Sequence, residues 1–398
     1  MSDRIIQTAC KQFSPEQVRN VAAKHAASTD QHGRLAQEVI DALISNGFAR
    51  YFVPKAFAGL NASFTDLAAG LSTVATGCTS AAWCAAICAV VGRMAAYLPT
   101  ASQQKIWQDG PDVVISASFR STGKVVPSKG GWVLSGEWHF LSGIDYAEWA
   151  LLCIEPVGDE QAARYAAVPA SAYRILDNWD TLGMRGTGSK SIVLDDIFVP
   201  AEMSFLKKDL WAGQSAYAPG PRYQVSPIGA DPQLFMACAH GAGLAALRFW
   251  GQAFQETPPV GELASVYARS AAELDAAQLL IERACQTTDI GAQPMALVAR
   301  NGRDASLSAD LVLSAVNRLF RLGGSNTHFA HNTLQRLWRD VQTLTSHIAL
   351  RPDFNFAQYT RSNWPARDTD SMVPVANIAP APLPAQAEIH RKFAVNEI

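Results

Sequence analysis

Residues 111–200 constrain the fold most, because they carry strand signals with no helical pattern between them. Trp132, Leu134, Gly136, Trp138 and Phe140 alternate with Val133, Ser135, Glu137 and His139, a period of two. Short apolar runs follow at residues 113–115, 150–155, 191–194 and 197–199, the last two split by Asp195 and Asp196. Gly130, Gly131, Gly186 and Gly188 punctuate the block. A parallel βαβ sheet needs a crossover helix of a dozen or more residues, and none is present. The block predicts a compact antiparallel barrel or sandwich.

Helical signals flank it. Ser14, Pro15, Glu16 and Gln17 form a helix start, with Ser at the N-cap, Pro at N1 and Gln at N3. Leu35, Val39, Ile40, Leu43 and Ile44 keep helical spacing, and Gly47 can end that helix. Residues 64–75 predict another helix, after a loop at 54–59. Residues 78–98 predict a buried helix stopped by Pro99. Beyond the strands, residues 234–254, 262–285, 295–322 and 332–350 are long and rich in Ala and Leu, which suits a helical bundle. From Pro365 onward the chain is rich in Pro and Ala and is expected to wrap a surface or stay disordered. The expected division is an α-helical domain at 1–110, a β domain at 111–222, and a four-helix bundle with an extended tail at 223–398.

Composition narrows the function classes. The formal net charge is -2, with no basic run, which argues against a nucleic-acid partner. Charged residues are only 17%, which suggests extensive buried or subunit-facing surface. The apolar stretch at 81–91 is too short to cross a membrane, and the amino terminus lacks the apolar core of a secretion signal. The seven cysteines show no C-x2-C pair; Cys84 and Cys88 share one helix face as small core residues, and a metal site is not expected. These features predict a cytoplasmic, oligomeric protein. Dinucleotide, Walker A, G-x-S-x-G and H-E-x-x-H signatures are all missing.

Four stretches carry a resemblance: WVLSGEWHFLSGID at 132–145, LGMRGTGSKSIVLDDIFVP at 182–200, RLGGS at 321–325 with LWRD at 337–340, and PKAFAG at 54–59. In this order they resemble the acyl-CoA dehydrogenase superfamily over residues 15–355. The resemblance implies a mainly α fold with a central β domain: an N-terminal helical domain, a small β-barrel or sandwich and a C-terminal four-helix bundle. A dehydrogenase needs a carboxylate base for the substrate α-proton. The stretch after Asp340 reads VQTLTSHIA, without an acid and with His347 in its place. In this the chain resembles the two-component flavin-dependent monooxygenases (group D).

That resemblance implies a chemistry. Reduced flavin, FAD or FMN, would arrive from a separate NAD(P)H-flavin reductase and react with O2 to give a C4a-(hydro)peroxyflavin. This would oxygenate an aromatic or nitrogen-containing small molecule. It also implies a homotetramer. His347 would donate near the peroxide, and Ser142 would meet the flavin N5 edge. Trp138 and Phe140 would line the isoalloxazine from one strand face. Ser116 and Ser118, on one face of a strand, would contact flavin or substrate. Arg185, Thr187, Ser189 and Lys190 would bind phosphate or ribityl. Gly323 and Gly324 would approach the pyrophosphate of a neighbouring subunit's FAD. Each has a plain structural alternative: a helix-end histidine, a strand-end serine, core packing, a tight turn. Phenol-hydroxylating members carry a histidine in the helix that ends here at Pro99; residues 88–99 have none. His240 and Trp211 are further candidates for the substrate pocket. An FAD-dependent acyl-CoA dehydrogenase, a nitroso-forming N-oxidising enzyme of the same fold, and a catalytically silent binding protein are the alternatives.

Overall fold

The computed structural model describes residues 13–155, 162–254 and 257–364. By internal contacts a first unit ends at Ser362; the Pro/Ala-rich tail from Pro365 lies outside the described residues.

The chain opens with five helices: α1 (Pro15–His32), α2 (Gln37–Ser45), α3 (Phe64–Ala75), α4 (Thr79–Ala95) and α5 (Thr100–Ile106). Pro15 begins α1 as expected, but the Ser14 hydroxyl makes no capping bond. Ser63 does cap α3, accepting from the Asp66 N–H. Its first turn is held again from across the fold, where Asp289 accepts from Phe64 N at 2.7 Å and Thr65 N at 3.1 Å. All of α4 is buried. A helix buried all round needs partners on every side, and α4 finds them in α3, α7 and the first strand. The loop at 54–59 contains a short 3-10 turn, Lys55–Phe57.

The strand region holds β1 (Ile115–Ser118), β2 (Lys124–Ser128), β3 (Gly131–Leu141), β4 (Trp149–Ile154), β5 (Arg164–Pro169), β6 (Arg174–Leu176), β7 (Lys190–Pro200) and β8 (Ser204–Leu206). They form two four-stranded sheets, β1-β4-β5-β8 and β2-β3-β7-β6. The sandwich expectation holds, with one correction: β1 and β4 pair in parallel. The chain leaves the first sheet after β1, builds the β2–β3 hairpin in the second, and returns in its original direction. The strands expected at 191–194 and 197–199 are one strand, β7. Asp195 and Asp196 form a bulge rather than a turn. Asp196 takes a positive φ of 49° opposite Ser135, next to Gly136 at 109°, where the β3–β7 register shifts. The Asp196 N–H donates to Ser135 Oγ at 3.1 Å, so pairing continues through the bulge.

After β8 come α6 (Lys207–Ala212), α7 (Pro227–Gln252), α8 (Glu262–Asp289), α9 (Met295–Arg321), α10 (Thr333–Thr345) and α11 (Pro352–Asn363). Helix α7 packs against α3, α8, α9 and α10. Asn332 caps α10, accepting from the Leu334 N–H at 2.8 Å. The helix expected at 332–350 ends earlier, at Thr345. His347 leaves helical geometry (φ -60°, ψ 140°) and caps a 3-10 turn, Ile348–Leu350.

Candidate active site

The end of β3 is where the candidate residues converge. Phe140 sits at φ 63° and the register with β7 shifts beyond Trp138. This bulge turns the last residues of the strand. It also corrects the expectation that Trp138 and Phe140 share a face. Trp138 is fully buried between the two sheets, its indole donating to Cys153 O at 3.0 Å. Phe140 is 62% exposed and stands edge-on to Trp179. The alternation that grouped them is broken by the intervening bulge.

Two serines of β1 hold this turn. Ser116 donates to Ser142 O at 2.8 Å, and Ser118 donates to His139 O at 2.9 Å. They do share a face, but their protons are used on the protein. His139 pairs with Ser191 Oγ at 2.8 Å. Gly143 N donates to Thr187 O at 2.9 Å, which ties the β3 end to the turn at 185–187.

Ser142 begins a chain of hydrogen bonds whose direction can be worked out. Trp83 Nε1 lies 2.9 Å from Ser142 Oγ, and an indole nitrogen can only donate. Thr187 Oγ1 donates to the Met184 carbonyl at 2.8 Å, and a carbonyl can only accept. Between them, Ser142 Oγ meets Ser189 Oγ at 2.7 Å, and Ser189 Oγ meets Thr187 Oγ1 at 2.7 Å. Thr187 has spent its proton, so Ser189 donates to Thr187 and Ser142 donates to Ser189. Ser142 keeps one free lone pair and no free proton: it can only accept from a ligand.

His347 is the complement. Its ring stands edge-on to Trp83 (centroids 5.4 Å) and to Phe235 of α7 (5.1 Å). Burial among these rings lowers its pKa from 6.5 to about 4, so the imidazole is neutral at pH 7. The Ala349 N–H donates to Nδ1 at 3.3 Å, which assigns the single proton to Nε2. The site therefore presents a hydroxyl that accepts and an imidazole that donates, both in contact with the Trp83 indole.

The remaining candidates have other duties. Arg185 donates to Asp30 O at 3.0 Å, Asp180 Oδ1 at 2.8 Å and Thr181 O at 3.0 Å, fastening its turn to α1. Lys190 lies 3.0 Å from both Asp145 and Asp177. Gly323 and Gly324 follow α9, beside Leu334 at the far end of α10 from His347; a 13-residue helix spans about 20 Å. Gly324 has φ 78° with open space about it. His240, offered above for the substrate pocket, is a buried residue of the α3–α7 seam, with Nδ1 3.0 Å from Ser72 Oγ and a pKa lowered to about 4 by burial. Trp211 lies on α6, which packs on β5 and β8, and β8 is the sheet edge opposite β1. Neither joins the Ser142–His347 cluster.

Trp83 and Phe235 were missed from sequence, because both lie in apolar helical runs. One signal existed: a buried indole N–H needs an acceptor. Among the described residues no group of three or more His, Cys, Asp and Glu could hold a metal.

The donor set suits a reduced flavin. Its N5–H needs an acceptor, which Ser142 is, and an oxygen developing beside the ring needs a donor, which His347 Nε2 is. Similar proteins share the cofactor class. The acyl-CoA dehydrogenase N-terminal domain matches residues 2–109, and the acyl-CoA dehydrogenase C-terminal domain matches residues 258–352. HsaA, the oxygenase subunit of a flavin-dependent monooxygenase from Rhodococcus jostii (strain RHA1), is 27% identical over 88% of this chain and 97% of that protein. The oxygenase component of an FADH(2)-dependent resorcinol hydroxylase from Rhizobium sp. (strain MTP-10005) is 26% identical over 84% and 89%. The crystal structure of 3-HSA hydroxylase from Rhodococcus sp. RHA1 superposes with a TM-score of 0.82 at 24% identity, over 88% of this chain and 96% of that one. XiaF from Streptomyces sp., solved with FADH2 and glycerol, gives 0.81 at 25% identity over 87% and 94%. The chain belongs to the acyl-CoA dehydrogenase superfamily, among the oxygenase components of two-component flavin-dependent monooxygenases.

Proposed function

We propose that this protein inserts one oxygen atom of O2 into an aromatic or nitrogen-containing small molecule, using reduced flavin delivered by a separate NAD(P)H-flavin reductase. Reduced flavin supplies the two electrons that activate O2. Ser142 accepts from its N5–H and keeps that proton in place. His347, neutral and protonated on Nε2, donates to the oxygen side of the ring. Trp83 and Phe235 wall off water between them. The acceptor at Ser142 and the donor at His347, both against Trp83, carry this reading. The low charge content and the exposed Gly323–Gly324 turn support a homotetramer in which that turn meets a neighbour's FAD, and FAD is favoured over FMN on that ground. The division into 1–110, 111–222 and 223–398 belongs to the same reading, as does a cytoplasmic location. Among the described residues no helix is long and apolar enough to cross a membrane.

The substrate reading has one structural support. Helix α4 and the turn to Pro99 present no histidine, and Arg93 is fully buried against Asp231 at 3.1 Å. A substrate that needs no base from that helix fits best, which keeps N-oxidation beside ring hydroxylation.

Anaerobic protein–reduced FAD mixed with oxygenated buffer in a stopped-flow cell tests the reading. Wild type is expected to hold a transient near-ultraviolet absorbance before oxidised flavin appears, and Ser142→Ala and His347→Ala to shorten it and release more hydrogen peroxide. Oxidation at the rate of free reduced flavin, identical in all three proteins, would sink it.

A further inference from the structure

Asp340 lies beyond the groups that meet the flavin, yet the hydroxyl chain at Ser142 ends on a backbone that it holds. Its side chain is buried, and Oδ1 accepts from the Met184 N–H at 2.6 Å. Met184 is one of five described non-glycine residues with positive φ, at 54° and ψ 26°. A side-chain-bearing residue enters that region only when its surroundings hold it there. The surroundings here are α10. A Cβ on Gly183 would lie 2.1 Å from Arg339 O and 2.7 Å from Asp340 N, so this loop rests directly on the helix backbone. Arg339 adds a bond to Leu182 O at 2.8 Å. The left-handed turn at Met184 swings its carbonyl back over the 185–187 turn, where it accepts both Thr187 N at 3.2 Å and Thr187 Oγ1 at 2.8 Å.

We infer that Asp340 is a positioning residue that sets the direction of the Thr187–Ser189–Ser142 hydroxyl chain, and so makes Ser142 an acceptor toward the flavin. This rests on the flavin-site reading above. With the Met184 carbonyl in place, every hydroxyl proton runs away from the site. Release of Met184 from Asp340, against the remaining hold of the Trp179 indole on the Met184 carbonyl at 3.2 Å, withdraws that carbonyl acceptor from the end of the line. Thr187 then donates to Ser189, Ser189 donates to Ser142, and Trp83 still donates to Ser142. The Ser142 proton is left to point outward, donor against the donor N5–H. The effect reaches the site through four residues, Met184, Thr187, Ser189 and Ser142.

The test uses FAD labelled with 15N at N5, reduced and bound anaerobically, with the N5 resonance as the readout. Asp340→Leu, which has no acceptor, is expected to move the resonance in the direction that Ser142→Ala moves it. Asp340→Asn, whose amide oxygen still accepts from Met184 N, is expected to stay at the wild-type position. Hydrogen peroxide released per O2 consumed should follow the same order, rising about fivefold in Asp340→Leu, the effect of one lost neutral hydrogen bond. Thr187→Val cuts the same line without touching α10, and it decides the matter if Asp340→Leu does not fold. A wild-type resonance in Asp340→Leu or in Thr187→Val, with Ser142→Ala shifted, overturns the role of Asp340 and leaves the flavin site standing. An unshifted Ser142→Ala overturns both.

Discussion

The neutral state of His347 can be tested against its cost in stability. Its folded pKa is about 4 and its unfolded value 6.5. A histidine whose folded pKa is depressed contributes stability that is fully present above 6.5 and is lost as pH falls toward 4. Between pH 7.5 and pH 5.0 that gap costs about 2 kcal/mol. His240, also lowered to about 4, loses a similar amount over the same window. Asp340 opposes them. Burial raises its carboxyl from 3.8 to about 6, so its contribution is full below 3.8 and lost as pH rises through 6; it returns about 1 kcal/mol at pH 5.0. Wild type should therefore lose about 3 kcal/mol on acidification from these three groups, and His347→Gln about 2 kcal/mol less than wild type. Urea midpoints at the two pH values give the difference, and an imidazole 15N titration gives the pKa itself. A His347 that titrates near 6.5, or a variant with the wild-type acid slope, would refute the argument that burial and the Ala349 contact keep the ring neutral.

Three further outcomes follow from the geometry. Gly183→Ala drives a methyl into the Arg339 carbonyl and should lower stability by about 1–3 kcal/mol, read as a fall in Tm together with weaker reduced-flavin binding. Arg93→Leu leaves the Asp231 carboxylate buried without its guanidinium partner and should cost about 3–5 kcal/mol, while the Arg93→Leu/Asp231→Leu double variant recovers most of it by denaturant titration. The six described cysteines are buried and the pKa of each is raised by burial; native protein should react slowly at these six with a thiol reagent and fully once unfolded.

Most of the architecture was legible because it follows from periodicity. A block of alternation without helices, set between helical runs, can only be a β unit flanked by helical ones. The bounds of α3 match the expected 64–75, and the Ser63 cap that starts it is a local contact. Legibility failed where the backbone departs from regular repeat. The bulge at Asp196 looked like a turn, because a polar Asp-Asp pair serves either purpose; only the continued pairing of β7 with β3 on both sides, Ile197 with Leu134 and Leu194 with Gly136, decided it. The bulge at Phe140 undid the alternation that had grouped Phe140 with Trp138.

The site divides in the same way. The sequence alone determined the helix–strand–helix order and the missing carboxylate after Asp340, because residue type and spacing are properties of the chain, and its family resemblance pointed to Ser142 and His347 as the residues to watch. Only the tertiary structure decided what those residues can do. Ser142 is an acceptor because Trp83, 59 positions away, and Met184, on another loop, fix which way its proton runs. His347 is a neutral donor because Trp83 and Phe235 close around it and the Ala349 N–H occupies Nδ1. Proton direction and pKa belong to surroundings assembled from distant segments, and no local pattern encodes them.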